Sequence, residues 1–216
     1  MIGGAVSVAG VLDYLHVRRL ADGVLEQVRG AAFDWHALPE SSPASASARS
    51  RQAELESLGY RLTGDVRVKE KLPGGREFQL VVRTSIASDE RTYAAIECAA
   101  SVGTAEPVPF DRARIQLVTE LTDGRFLYTV EGRSPAESFN PAEIEHSTLD
   151  EGVSASRLHR THQERLAATD PTTVHALGDI EESQRREFEL KRAARLEAAG
   201  RGLTHRELLA RIGHHL

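Results

Sequence analysis

The side chains best suited to chemistry in this sequence are three histidines, His146, His159 and His162. His159 and His162 stand three residues apart, a spacing that places both on one side of a helix, where they could bind a metal ion. A metal centre needs further ligands, and no cysteine pair, glutamate pair or His-Glu-x-x-His sequence supplies them. Since His162 also falls on the apolar side of its predicted helix, we interpret it as a hydrogen-bonded core histidine and predict no metal site.

The single cysteine, Cys98, is the next candidate for chemistry. One cysteine cannot form an intramolecular disulfide, which excludes a disulfide-stapled secreted fold. Cys98 falls on the inward side of a predicted strand, where we expect a buried and inert thiol rather than a nucleophile. The sequence also has no serine-nucleophile elbow, phosphate-binding loop or dinucleotide fingerprint. We therefore predict no catalytic residue and no cofactor.

Four acidic residues remain as candidates for acid–base catalysis, because carboxylates that meet across one face of a sheet can transfer protons. They occupy outward positions of predicted strands: Asp65, Glu70, Glu97 and Glu120. Exposed solubilising charge explains them with fewer assumptions than an active site does. We therefore interpret these carboxylates as surface groups.

The elements that position these residues are strands between residues 60 and 132. Apolar side chains recur at even-numbered positions such as Leu62, Val66 and Val68, while their odd-numbered neighbours are polar. This alternation predicts strands with one wet face. The even-numbered pattern continues through residues 78–86 and 94–102, so three-residue loops would keep all even-numbered side chains on one face.

The dipeptide Asp123-Gly124 predicts a hairpin with a two-residue type I′ turn. Such a turn pairs Leu121 with Phe126 and Leu117 with Val130, which places these apolar side chains on one face. Residues 103–112, which contain two prolines, are interpreted as a connection because proline cannot serve a central strand.

These elements predict an α+β fold with an antiparallel sheet of about five strands. Helices 49–58 and 153–168 are expected to cover one face of that sheet, and the even-numbered side chains form the core. The predicted divisions are an N-terminal helical segment (1–37), a linker (38–48), an α+β domain (49–170) and a C-terminal helical extension (171–216).

Several short runs occur in an order that resembles a group of uncharacterised bacterial proteins. They are Leu58-Gly59-Tyr60, Gly64-Asp65, residues 93–96, residues 121–125 and residues 158–166. The resemblance covers about residues 49–168 and implies a helix, an antiparallel sheet and a closing helix. Members of this group often begin with a membrane-anchoring helix, from which the N-terminal segment here departs. The resemblance implies no activity.

Charge and composition bear on the class of partner. The net charge is −5 and the 27 basic residues are spread along the chain, so the basic patch of a nucleic-acid-binding protein is missing. Residues 202–213 are similar to the first helix and turn of a helix-turn-helix unit, but the chain ends three residues later and we expect no recognition helix. We therefore predict no nucleic-acid partner.

The leading functional hypothesis is a non-enzymatic interaction or assembly module that binds a protein partner or a second copy of itself. Two helical stripes motivate it, one within residues 5–33 and one within the long charged helix predicted at 173–199. The candidate partner-binding residues are Val8, Leu12, Leu15, Ile180 and Phe188.

Two alternatives stay open. The first is a small-ligand-binding protein or hydrolase with a pocket between sheet and helix, lined by His162, Tyr128 and Cys98. The second is a membrane-surface protein held by residues 1–20, whose apolar run from Met1 to Leu12 is too short to span a bilayer as a helix, which takes about 20 residues. We expect a cytoplasmic location, with membrane association as the alternative.

Overall fold

The computed structural model describes residues 35–38, 45–71, 77–103, 107–132, 141–170, 173–174 and 176–200. Seven strands and three helices lie within these residues. The strands are β1 (Trp35–Leu38), β2 (Arg61–Lys71), β3 (Glu77–Ile86), β4 (Thr92–Val102), β5 (Val108–Glu120), β6 (Phe126–Glu131) and β7 (Ile144–Leu149). The helices are α1 (Ala46–Ser57), α2 (Ala155–Ala167) and α3 (Ile180–Gly200).

The strands form one sheet in the order β1-β2-β3-β4-β5-β6-β7. Neighbouring strands from β1 to β6 are antiparallel, whereas β7 lies parallel to β6. The predicted α+β class and the mostly antiparallel sheet are confirmed. The sheet has seven strands where the sequence predicted about five, because β1 lies in the predicted helical segment and linker, and β7 in a stretch without a predicted element.

Helix α1 begins at Ala46 because the Oγ of Ser45 caps it by accepting a hydrogen bond from the Ala48 amide at 3.0 Å. The helix therefore starts three residues earlier than predicted, inside the segment interpreted as a linker. Residues 39–44 of that segment lie outside the described residues.

Strand β5 begins inside the segment that was predicted to be a connection. Val108 pairs with Ala100 and Pro109 with Ala99, next to a register shift in β4 between Glu97 and Ala99. Proline is tolerated there because it stands at the start of a strand and beside a bulge, where a ladder hydrogen bond is already interrupted. The prediction of a connection over residues 103–112 was therefore wrong from Val108 onward.

The turn between β3 and β4 is one residue longer than predicted. The Ala87 amide donates to the Thr92 carbonyl at 2.9 Å, which leaves four loop residues, and Glu90 among them adopts φ 54°. An even loop pairs Ile86 with Tyr93. Between the turn and the register shift at Val82, even-numbered side chains of β3 and β4 consequently point to opposite faces, so the prediction of one core face with a single parity was wrong.

The β5–β6 hairpin shows the same one-residue difference. The Leu121 amide donates to the Arg125 carbonyl at 2.8 Å, so the loop has three residues. Within it Gly124 alone has a positive φ, +84°, whereas a type I′ turn needs two such residues. Leu117 and Phe126 are buried as expected, at 0% and 1% exposure, but they lie on opposite faces.

Both faces of the sheet are covered, whereas the sequence predicted cover on one face. Helices α1 and α2 pack on the first face over a cluster that includes Leu55, Ile96, Ile115, Leu117 and Leu158. Helix α3 packs on the second face over a cluster that includes Tyr93, Val118, Phe126, Tyr128 and Val130, with Ile180 and Leu190 against it. The long charged helix predicted at 173–199 thus packs against the sheet.

The inner side of α3 is polar, which explains why its apolar stripe is thin. Ser183, Glu187 and Lys191 recur every four residues and therefore lie on one side of the helix. Ser183 Oγ donates to Glu120 at 2.8 Å, and Arg186 donates to both carboxylate oxygens of Glu120 at 2.8 Å. Glu120, interpreted from the sequence as a surface group, is accordingly 5% exposed.

Substitution of Gly124 by alanine should destabilise the protein by about 1–2 kcal/mol, since an L side chain strains a left-handed backbone. A Cβ at Gly124 would meet open space, so the cost is conformational only. Gly178 is the matched control, because a Cβ there also meets open space but its φ is not left-handed. Urea unfolding of the two variants should show a loss for Gly124→Ala alone, and equal stabilities would contradict this account.

Candidate ligand-binding site

A half-open cavity of about 210 Å³, here called the α3 cleft, lies between the second face of the sheet and α3. Its apolar lining comes from β2, β3, β4, β5 and α3. The apolar residues are Val68, Leu80, Val82, Ala95, Val118 and Phe188. Its polar lining comes from β4, β5, β6 and α3. The polar residues are Tyr93, Glu97, Gln116, Tyr128, Gln184, Glu187 and Lys191.

Glu187 is the common hydrogen-bond acceptor among the polar residues that line the α3 cleft. The Tyr93 hydroxyl donates to its carboxylate at 2.7 Å, and the Lys191 ammonium donates to it at 2.5 Å. Lys191 also donates to the Tyr128 hydroxyl at 3.2 Å and stands 4.6 Å from the centre of the Tyr128 ring. One carboxylate, one ammonium and two phenols therefore form a single hydrogen-bonded group.

Electrostatics fix the charge state of this group. Burial raises the pKa of the Glu187 carboxyl, but the Lys191 ammonium and the hydrogen bonds from Lys191, Tyr128 and Tyr93 outweigh it and hold that pKa below its usual value. Burial first, and the Glu187 charge second, raise the pKa of Tyr93 and of Tyr128 well above its usual value. At neutral pH the carboxylate is therefore ionised and both phenols stay protonated.

A second charged pair borders the cleft at Glu97. The Gln116 amide nitrogen donates to Glu97 at 2.8 Å, and the Arg114 guanidinium lies 3.7 Å from its other oxygen. Gln184 is different, because its side-chain amide makes no hydrogen bond within the described part of the chain. It lines the cleft with both a donor and an acceptor available.

A larger groove of about 850 Å³ runs along the ends of β2 and β3 beside the start of α3. Its lining includes the exposed residues Arg61, Leu62 and Glu90. On its floor the Arg83 guanidinium donates to both oxygens of Asp65, at 2.7 and 2.8 Å. Because this pair is buried and its carboxylate is already satisfied, it offers a ligand no unpaired charge.

The three residues predicted to line a pocket are not brought together. Tyr128 lines the α3 cleft, whereas His162 and Cys98 lie in the core on the opposite face. Burial raises the pKa of the Cys98 thiol to about 11, and the thiol donates to the Ile96 carbonyl at 3.2 Å. These are the properties of an inert structural thiol.

His162 is a fully buried core histidine that joins α2 to the sheet. Its Nε2 lies 2.9 Å from the Thr119 hydroxyl and its Nδ1 lies 2.9 Å from the Thr129 hydroxyl. Burial, with smaller contributions from Arg165 and His159, lowers the pKa of His162 to about 3. The imidazole is therefore neutral at physiological pH, and both of its nitrogens are occupied.

The other two histidines have separate surroundings. His159 Nδ1 lies 3.1 Å from the Tyr60 hydroxyl, and the His146 ring stacks on Tyr128 with centroids 4.9 Å apart. Across the described ranges, no cluster of three or more His, Cys, Asp or Glu side chains is arranged to hold a metal ion. No described helix has the length and apolar character needed to cross a membrane.

The predicted partner-binding residues fall into two groups. Val8, Leu12 and Leu15 lie outside the described residues, as do all of residues 1–20. Ile180 is half-buried against the second-face cluster, and Phe188 is half-buried in the α3 cleft. Part of the apolar surface of both is thus covered within the chain, and an interaction role stays a prediction.

Sequence reasoning missed Glu187 and Lys191. Their spacing of four residues on a charged helix is typical of an exposed ion pair that solubilises a surface. Tyr93 was placed on a predicted strand but not singled out. The signal that could have indicated this group is a pair of tyrosines on β4 and β6, two strands separated by β5, together with a helix that has a polar stripe.

No family model matches the chain, and neither curated proteins nor solved structures give a significant match. The resemblance to uncharacterised bacterial proteins therefore stays an expectation. Function has to be inferred from the geometry of the α3 cleft.

Proposed function

We propose that this protein binds a small molecule in the α3 cleft. The supporting observation is that one cavity is lined by both apolar side chains and a hydrogen-bonded polar group. Ligand sites have this composition because apolar contacts supply affinity, while a few placed polar groups set the orientation of the ligand.

The size of the cavity limits the ligand. Its volume of about 210 Å³ equals the share of about seven water molecules in the liquid. Drug-sized ligands occupy about 300–1,000 Å³, so the α3 cleft suits a smaller molecule with fewer than about ten non-hydrogen atoms. Affinities in the micromolar to millimolar range are expected for such a ligand.

Binding is better supported than hydrolysis. The described residues that line the cleft include no serine, threonine, cysteine or histidine that could act as nucleophile or base. The tyrosine phenols have a raised pKa, and the Lys191 ammonium is held by Glu187, so neither is an activated nucleophile. A rigid group of paired charges is suited to orienting a ligand.

Saturation-transfer NMR with a panel of small aromatic and aliphatic compounds, charged and uncharged, tests this proposal. The variant Gln184→Trp places a bulky ring at the cleft and should abolish the transfer seen with the wild-type protein. Glu189→Trp is the matched control, because Glu189 is on the same helix but its side chain is 58% exposed. Transfer that survives Gln184→Trp, or is lost equally in both variants, would contradict binding in the α3 cleft.

A further inference from the structure

We infer that the ligand of the α3 cleft is uncharged, with a small apolar body and one hydroxyl or amide group. This inference rests on the proposed function and concerns the chemical class of the molecule that the site takes. It follows from which charges and which hydrogen-bonding groups the cleft residues leave unused.

Each charged residue that lines the cleft has a neighbour of opposite charge, and the neighbour of Glu97 is Arg114, which lies beside the cleft and does not line it. Glu187 is paired with Lys191 at 2.5 Å, with side chains 15% and 20% exposed. Glu97 is paired with Arg114 at 3.7 Å, with side chains 20% and 27% exposed. His146, which stacks behind Tyr128, has its pKa lowered to about 4, chiefly by burial, and is neutral. An ionised ligand would thus enter a partly desolvated site without a counter-charge, which is costly.

Neutral hydrogen-bonding capacity is what remains. The Gln184 side chain offers an amide donor and an amide acceptor, with no partner among the described residues. Gln116 donates its amide nitrogen to Glu97, which leaves its carbonyl oxygen to accept. The Tyr93 hydroxyl donates to Glu187 and keeps lone pairs that can accept. A hydroxyl or primary amide on the ligand complements this set.

The apolar residues that line the cleft determine the apolar body of the ligand. Val82 and Ala95 are buried, and Val68, Leu80 and Phe188 are half-buried around the same cavity. These side chains favour an aromatic or branched aliphatic body, because contact with it removes apolar surface from water.

Three probes of nearly equal size separate the classes: benzyl alcohol, benzylamine and benzoate at pH 7. Titrations followed by ¹H–¹⁵N correlation spectra of the full chain should give an affinity for benzyl alcohol at least about tenfold higher than for either ion. Equal or tighter binding of an ion would overturn the inference while leaving small-molecule binding intact. An absence of binding by all three probes and by the wider panel would overturn the proposed function itself.

Two charge variants provide an independent readout. Lys191→Met leaves the Glu187 carboxylate without its cation, so benzylamine should gain affinity relative to benzyl alcohol. Glu187→Gln keeps the shape but leaves the Lys191 ammonium unpaired, so benzoate should gain instead. Opposite shifts support the inference, and unchanged selectivity in a variant with a wild-type spectrum would contradict it. The wild-type comparison stands even where a variant fails to fold.

Discussion

Replacing Glu131 with glutamine is expected to lower the free energy of unfolding by about 3 kcal/mol, the scale found when one partner of a buried ion pair is removed. Glu131 is 1% exposed at the end of β6. Its carboxylate accepts from Arg51 at 2.5 Å, from Arg112 at 3.2 Å and from the Gly152 amide at 2.6 Å. It therefore joins α1, the sheet and the turn before α2.

The amide of glutamine cannot satisfy these three donors. One of its two ends carries N–H groups, which would face either a guanidinium or the Gly152 amide, donor against donor. Arg51 would keep its bond to the Val153 carbonyl at 2.9 Å and its pair with the partly exposed Glu54 at 3.2 Å, but it would lose its buried charge partner while its side chain is only 10% exposed. The main sources of the expected loss are the buried donor left without an acceptor and the loss of the buried half of the Arg51 charge pairing.

Urea denaturation at neutral pH measures this loss as a lower urea concentration at the unfolding midpoint. The slope of the unfolding free energy against urea concentration should stay unchanged. Glu151→Gln is the matched control, since Glu151 contacts the same Arg112 at 3.8 Å but its side chain is 72% exposed. Exposed pairs contribute about 0–1 kcal/mol, so this variant should unfold near the wild-type midpoint. Similar midpoints for the two variants would show that burial of the Glu131 group does not determine its contribution.

The sequence could predict what depends on local alternation. Strand positions in β2, β3 and β4 follow from side chains that alternate every two residues, and Asp123-Gly124 correctly marks a turn. The α+β class follows from these strands and from the helices on either side of them. Each of these features is determined by residues that are close together in sequence, so the types of those residues are enough to predict it.

Register could not be predicted, because it depends on one residue of loop length. The loop that ends at Arg125 has three residues rather than the predicted two. The extra residue shifts the strand pairing of β6 by one position. Phe126 and Tyr128 thereby move to the face under α3, and Thr129 faces His162. The predicted and observed turns differ in the backbone conformation of Asp123, which is left-handed in a type I′ turn and is not left-handed here. Sequence alone does not distinguish these two conformations of an aspartate.

The α3 cleft could not be predicted because hydrophobic periodicity does not detect a polar interface. Glu187 and Lys191 resemble a surface pair until Tyr93 and Tyr128 are brought opposite them. Those tyrosines reach the same face only through the unpredicted registers of the β3–β4 and β5–β6 turns. The candidate site is thus a product of long-range pairing.

A second large effect is expected in acid. Between pH 6.5 and pH 5, His162 alone should reduce the free energy of unfolding by about 1.5 kcal/mol. Burial lowers the pKa of folded His162 from 6.5 to about 3. Between these values the unfolded chain binds a proton that the folded protein does not, so stability is fully present above pH 6.5 and falls as the pH drops.

His162→Gln removes the titrating group and isolates this contribution. Glutamine can still hydrogen-bond a threonine hydroxyl, so the variant should fold with lower stability at pH 7 and a shallower loss between pH 6.5 and pH 5. Burial lowers the pKa of His146 to about 4, so His146 contributes part of the slope of stability against pH in both proteins.

Leu158→Met is the matched control, because Leu158 is a buried residue of α2. Its replacement should lower stability by less than about 1.5 kcal/mol without changing the slope. Urea denaturation at four pH values in this window decides the question, because an unchanged slope in His162→Gln would mean that His162 takes up its proton in the folded protein.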